Sequence, residues 1–335
     1  MLNIAFVGGG GIARNHAALL AQLRNVRIVA VSDVVASTAK SFAADYDIPD
    51  TFADYNQMLE LDHIDAVWVC TPTFVHPAPV IAAARAGKHV FCEKPMALKV
   101  ADARRMDQTC KRHGVRLTIG FVRRFDTEWP KLKQVVQSGA VGRPVIWRTM
   151  SSGRPGPPWF RDENKGGGPL MDGCVHNYDT ALQIFGPALS VQASSMQFDP
   201  TSVGADTSSA IVNFASGDQL AIVWSWGAAS GARITRLHDV LGPKGALQFG
   251  MTAASAPKNF NPEKQGALTL QAAEGKARVY PYRRQNMFLE QAKHVVRCFE
   301  RGEQPLVTGT DGIEALKIAA AVLKSGKSRQ TVRIR

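Results

Sequence analysis

NIAFVGGGGIA, at residues 3–13, is the stretch on which the fold turns. A short apolar run with a β-branched and aromatic character ends in glycine, and the glycines fit G-x-G-x-x-[GA] at Gly8, Gly10 and Ala13. Glycine is required there because the backbone turns sharply and comes close to a pyrophosphate with no Cβ in the way. Gly11 and Ile12 then open a helix whose free N–H groups and positive dipole end face the phosphates. By itself the run is equally a plain turn, and its surroundings decide between the two. A second apolar run, Arg27–Val31, leads to Asp33 about 20 residues beyond the turn, the distance expected for the acid that binds the ribose hydroxyls. A carboxylate at that place repels a 2′-phosphate, and Val34 and Val35 offer no arginine to hold one, so NAD is expected rather than NADP. Without the glycine turn, Asp33 would read as a helix cap.

Outward from this turn the chain has two rhythms. Up to about residue 120, apolar runs (Asn3–Val7, Arg27–Val31, Ala66–Cys70, His89–Phe91, Arg116–Ile119) alternate with amphipathic stretches near Ile12–Leu23, Ser37–Asp45, Asn56–Leu61, Val75–Arg85 and Ala101–His113. Such alternation implies a doubly wound parallel sheet, a Rossmann arrangement. After a helical piece at Thr127–Ser138 come strands rich in Thr, Val, Ile and Trp: Val145–Thr149, Val191–Phe198, Ser208–Phe214, Gln219–Trp226, Thr235–Leu241 and Ala246–Phe249. The turns Ala215–Asp218 and Gly242–Gly245 suit hairpins, so this half is α+β with a large, mostly antiparallel open sheet. Helices are expected near Gln285–Arg301 and Gly309–Ser325, and Ala253–Gly266 reads as a surface loop. The expected fold class is α/β. A cofactor domain covers 1–121 and a substrate-binding and oligomerisation domain 122–335, the last helices packing back towards the first.

Composition narrows the function classes. The chain has 335 residues, 45% hydrophobic and 20% charged, and no apolar run near the roughly 20 residues a membrane-spanning helix needs. It starts directly in a strand, without a basic leader, so a cytoplasmic protein with no membrane partner is expected. The net charge of +12 is spread as isolated residues and doublets, which argues against nucleic acid and for an ordinary basic surface or an attraction for anionic ligands. Five isolated cysteines without C-x-x-C spacing suggest neither disulfides nor metal. Asp172, Cys174 and His176 make a poor ligand set on a helix, where the i+2 side chain points away.

GGGPLMDGCVHNYD, at 166–179, carries the second signal. If the segment is helical after the glycines, Asp172, His176 and Asp179 share one face. A carboxylate one turn from a histidine orients the ring and prepares a general base; a solvated face with a chance histidine produces the same spacing.

VGGGGIARNH at 7–16, CTPTFVH at 70–76, Glu93-Lys94-Pro95, GFVRRFD at 120–126, the 166–179 segment and HDVLGPKGAL at 238–247 together resemble the glucose–fructose oxidoreductase / inositol dehydrogenase (Gfo/Idh/MocA) family over nearly the whole chain. The resemblance implies that Lys94, Asp172 and His176 form a catalytic set at the domain junction. Lys94 would polarise the reacting hydroxyl, His176 would take its proton and Asp172 would orient the histidine or the substrate. It implies cofactor contacts at Thr71, Pro72, His76, Glu93 and Lys94, with Arg123 at the same edge. His76 reads equally as a solvent-exposed helix-start residue. Arg124, Trp159, Phe160, Arg161 and Asp179 are assigned to the substrate side, and the glycines 166–168 would let the helix start approach the nicotinamide. Departures from the family pattern are Ala13 for glycine, Cys174 for a small glycine, and Pro169 after the glycine run.

The implied activity is an NAD-dependent oxidoreductase acting on a secondary hydroxyl of a sugar, inositol or related polyol, working as a homodimer or homotetramer through the second-domain sheet. The same residues would also serve a glycosidase that oxidises transiently through bound NAD, or a silent NAD-binding regulatory protein.

Overall fold

The computed structural model describes residues 1–153, 157–228, 236–250, 260–272, 275 and 277–334, with the backbone alone for residues 161 and 236. The chain divides into two compact units, Met1–Phe125 with Met287–Leu316, and Asp126–Asn286 with Lys317–Arg335.

The first unit follows the alternation read from the sequence: β1 (Leu2–Val7), α1 (Gly11–Leu20), β2 (Val26–Ser32), α2 (Ala36–Asp45), β3 (Asp50–Phe52), α3 (Tyr55–Leu59), β4 (Ala66–Val69), α4 (Pro77–Arg85), β5 (His89–Cys92), α5 (Val100–Arg112) and β6 (Leu117–Ile119). The strands are parallel in the order β3-β2-β1-β4-β5-β6, the doubly wound order with its switch point between β1 and β4. β3 went unrecognised in the sequence because three residues at a sheet edge are too short to show a period. Burial on both sheet faces explains the unbroken apolar strands: Ile4, Phe6, Trp68 and Phe91 sit in one core with Ala13, Ala17 and Leu20 of α1. Trp68 stacks on Phe91 with ring centres 5.4 Å apart. The helix α8 (Met287–Arg301) completes this core from far along the chain with Ala292, Val295, Val296 and Phe299.

The second unit contains α6 (Glu128–Gln137), β7 (Ile146–Ser152), α7 (Val175–Phe185), β8 (Ala188–Met196), β9 (Thr207–Phe214), β10 (Gln219–Ser225), β11 (Arg236–Gly242), β12 (Gly245–Phe249), β13 (Gln265–Ala272), β14 (Arg278–Arg283) and β15 (Val332–Arg333). The final helix, α9 (Gly309–Ser328), is shared between the units at Leu316. The sheet runs β14-β13-β12-β11-β7-β10-β9-β8-β15, antiparallel except for the β7–β10 pair. Both expected hairpins form, at 215–218 between β9 and β10 and at 242–245 between β11 and β12. The surface loop expected at Ala253–Gly266 needs correction at its end. Gln265 and Gly266 begin β13, where Gly266 lies against the ring of Tyr282, while 251–259 and Thr235 fall outside the described residues.

β7 alternates strictly: Trp147, Thr149 and Ser151 are buried, whereas Ile146, Arg148 and Met150 are exposed. The outward face therefore carries Met150 beside Leu237, with Ile146 and Ile211 nearby in the register, and an Arg148–Asp239 ion pair across β7 and β11. Among the described residues no helix is long and apolar enough to cross a membrane.

Candidate active site

In the first unit the glycine turn stands at the carboxyl end of β1. Gly8 has φ +96°, and a Cβ there would lie 2.8 Å from the Cys70 carbonyl oxygen. Among the described residues, nothing approaches within 4 Å of a Cβ at Gly10 or Gly11. Gly10 caps α1 without a side-chain hydrogen bond, and the first turn carries no acid. The N–H groups of the helix start are thus left for an anionic ligand. Asp33, at the end of β2, is not a helix cap: Gly9 N–H donates to its Oδ2 at 2.9 Å and Val35 N–H to its Oδ1 at 2.9 Å. The acid therefore fastens the glycine turn to the second strand, and each oxygen keeps a further lone pair.

The loops after β4 and β5 form the other part. Thr71 and Thr73 hold buried hydroxyls without a hydrogen-bond partner, and Pro72 starts the 3₁₀ turn Thr73–Val75. Glu93 is buried, with Oε1 2.7 Å from His16 Nε2 and Oε2 accepting the Lys94 N–H at 2.9 Å. Gly120 makes room for this carboxylate, since a Cβ would stand 3.0 Å from Oε2. Burial pushes the Glu93 carboxyl up, but His16 and Lys94 outweigh it and hold it below the usual range. Burial pushes the thiols of Cys70 and Cys92 well up, and the Glu93 charge adds to this, so both stay protonated.

His76 is only 1% exposed, which rules out the solvent-facing helix-start reading. Its Nδ1 lies 2.9 Å from the Pro95 carbonyl oxygen and its Nε2 2.8 Å from that of Thr71. Each ring nitrogen thus faces a backbone carbonyl, and the neutral ring donates its one N–H to one of the two. Burial lowers its pKa below the ordinary histidine value, although the two carbonyls and Glu93 pull the other way. Arg123 and Arg124 lie in the 3₁₀ turn Val122–Phe125. Arg124, expected on the substrate side, has its guanidinium paired with Asp311 at 2.8 Å and donating to the Leu306 carbonyl at 3.0 Å, within this unit.

In the second unit, the segment after the glycines is not a continuous α-helix. Pro169–Gly173 forms a π-helical turn, and α7 starts after Cys174. The wider turn changes the phase, so Asp172 is offset from the face that α7 alone would give it. Asp172 and Asp179 are 4% and 1% exposed, which excludes a solvated face. His176 is half-buried, and its carbonyl accepts from Thr180. The glycines have packing reasons: a Cβ at Gly166 would be 2.7 Å from the Trp159 carbonyl oxygen and one at Gly167 would strike Met171, while Gly168 has φ +73°. Gly173 likewise lies under Trp224. Trp159 stacks on Phe160 with ring centres 3.9 Å apart, and Phe160 meets Trp226 edge-on. The Arg161 side chain lies outside the described residues. Sequence reading left His16 unassigned. Its signal was present: Ala13, His16, Ala17 and Leu20 share the core-facing side of α1.

These groups suit a dinucleotide: an uncapped helix start beside open glycines, an acid at the second strand, and orphaned threonine hydroxyls beyond β4. The comparisons agree. Residues 2–121 match the Gfo/Idh/MocA oxidoreductase family with its NAD-binding Rossmann fold, and residues 129–248 match the Gfo/Idh/MocA C-terminal domain. The chain belongs to this family and is an NAD-dependent dehydrogenase by class. It is 31% identical to myo-inositol 2-dehydrogenase of Thermotoga maritima over 99% of this chain and 98% of that protein. It is 27% identical to inositol 2-dehydrogenase of Rhizobium meliloti, with 99% of each covered. Aldose-aldose oxidoreductase of Caulobacter crescentus, solved with glycerol, superposes with a TM-score of 0.81 at 27% identity over 99% of both chains.

Protonation links this site to stability. His76 and Glu93 both have pKa values below the ordinary 6.5 and 4.5. Each therefore takes up protons more readily in the unfolded chain, so its contribution is complete above the ordinary value and lost as pH falls through the folded one. His89 and His294 act in the same sense. The melting temperature is expected to decline from pH ~7.5 to pH ~5, and further below pH ~4.5. Scanning calorimetry across that range tests it, and a flat or rising profile on acidification would contradict it.

Proposed function

We propose that the protein transfers hydride between NAD and a secondary hydroxyl, or the matching ketone, of a sugar, inositol or related polyol. The observation that carries this reading is the buried Asp172 held in a π turn ahead of His176, in a segment otherwise devoted to packing. A carboxylate kept out of water has a strong influence on a histidine one turn away. The named relatives act on inositol or aldoses, which supports the substrate class.

In this reading Lys94 donates a hydrogen bond to the reacting oxygen and stabilises developing alkoxide charge. His176 takes the hydroxyl proton, and Asp172 fixes the ring and favours its charged form. NAD bound at the glycine turn would supply the hydride acceptor or donor. Asp33 supports NAD over NADP, because its remaining lone pairs suit ribose hydroxyls and its charge opposes a 2′-phosphate. Thr71, Pro72 and Arg123 are retained as cofactor-side groups, and Trp159 and Asp179 as substrate-side groups.

A panel of sugars and polyols offered with NAD and NADP in parallel, followed by NADH absorbance, tests the proposal. Turnover on several cyclic polyols or aldoses with NAD supports it. Sugar release without net NADH would replace it by the redox glycosidase, and NAD binding without turnover on any compound would replace it by a silent binding protein.

The outward face around Met150 and Leu237 supports assembly with a second copy, since clustered exposed apolar side chains on a sheet face mark interaction surfaces. Light scattering should give a multiple of the 36.3 kDa chain mass, reduced by Met150→Lys. A monomeric wild type would sink this assignment.

A further inference from the structure

Three buried titratable groups take no direct part in the chemistry above: His16, His76 and Glu93. They converge on one short segment, Glu93–Pro95. On one side His16 of α1 holds Glu93 Oε1, and Glu93 Oε2 holds the N–H of Lys94 itself. On the other side His76 holds the carbonyl of Pro95. The second nitrogen of His76 reaches the carbonyl of Thr71, the first residue of the loop after β4. That loop carries the two buried hydroxyls left without partners.

An imidazole suits this place for a geometric reason. Its two nitrogens point apart across a rigid ring, 2.9 Å from the Pro95 carbonyl oxygen and 2.8 Å from that of Thr71; the neutral ring donates its one N–H to one of them and the imidazolium donates to both, so either form ties the ring to a backbone carbonyl at a fixed distance. The ring is also sealed from water, so neither contact is exchanged for solvent.

We propose that His76 is a positioning residue for Lys94: it locks the Thr71 loop to the Glu93–Pro95 turn, so that the cofactor-side loop and the hydroxyl-polarising lysine keep one geometry. The inference rests on the role of Lys94 given above. His16 and Glu93 fix the same turn from the α1 side, and the lysine is thus held by its backbone at both flanks. A misplacement of about 1 Å at a reacting group lowers turnover by roughly 10²-fold, which sets the scale of the effect.

His76→Leu removes both contacts while keeping a buried apolar side chain, and His76→Gln restores one donor. In His76→Leu, kcat is expected to fall by about 10²-fold with NADH binding retained in a fluorescence titration, because the glycine turn and Asp33 are untouched. His76→Gln should recover part of the loss. Hydrogen exchange on the cofactor-free variant supplies a readout independent of activity: amides at 71–76 and 93–97 should exchange faster together, while those of β1 and β2 stay protected. A general loss of stability would instead raise exchange throughout the unit and overturns the proposal. Wild-type kcat and wild-type exchange at 93–97 in both variants overturn it too. Lys94→Met separates this from the underlying reading. If Lys94→Met turns over normally, the lysine assignment fails and the inference falls with it; if it is inactive while His76→Leu is normal, the inference alone fails.

Discussion

Lys94→Met is expected to lower kcat by about 10³-fold, within the range of 10²–10⁴ for a positioned acid–base or electrophilic group, while leaving NADH affinity and the melting temperature nearly unchanged. The side chain is half-buried, whereas its backbone N–H is what Glu93 holds, so the substitution removes the ammonium and leaves that backbone hydrogen bond in place. The loss should appear in kcat and kcat/KM alike, because an alkoxide needs the ammonium more than a neutral hydroxyl does. His176→Asn should behave similarly, and the double variant should be little worse than either single one, as groups that act together on one reacting hydroxyl do not contribute additively. Steady-state kinetics with the best substrate of the panel, beside an NADH titration, decide the matter. Normal turnover in Lys94→Met and His176→Asn would remove both residues from the chemistry.

The second large effect lies in the glycine turn, where two neighbouring glycines should fail in different ways. Gly8→Ala forces a Cβ to within 2.8 Å of the Cys70 carbonyl oxygen at a φ of +96°. The backbone has little freedom to yield, since Gly8 N–H donates to Ser32 and Cys70 N–H donates to Val7. Strain and overpacking together should cost on the order of 3–5 kcal/mol of stability. Gly10→Ala meets nothing within 4 Å and has φ −75°, so its fold should melt like wild type. Its methyl group instead occupies the space before the α1 N–H groups, and NADH affinity should drop by at least about tenfold as backbone contact with the phosphates is lost. Thermal melts with an NADH titration on each variant separate the two effects. A Gly8→Ala protein as stable as wild type, or a Gly10→Ala protein that binds NADH normally, would show that the turn is not used in this way.

The strands and helices of the first unit were legible because their signals are local. Asn3–Val7, the glycines and Asp33 announce a dinucleotide fold through spacing alone, and the five expected strands there form within two residues of their expected ends. The second sheet was partly legible: β7 to β12 show alternation or hairpin turns, whereas β13, β14 and the two-residue β15 were passed over. At the site, Lys94, Asp172 and His176 were visible as residue types at motif spacing. Their surroundings were not. The helical face drawn through Asp172, His176 and Asp179 was altered by a π turn, because a local change of pitch leaves no mark in the positions of polar residues. Arg124 looked like a substrate ligand from its place after the last strand, yet Asp311, 187 residues further on, pairs with it.

The sequence by itself determined the doubly wound, dinucleotide-binding first half and the residues with chemistry to offer, since periodicity, glycine turns and acid spacing are properties of short segments. Tertiary structure alone decided which of those residues are held by others. His16 meets Glu93 across 77 positions, and His76 meets Pro95 across 19. Such pairings arise when parallel strands bring distant loops to one sheet edge, where buried polar groups must find partners, and no local pattern states in advance which partner each will take.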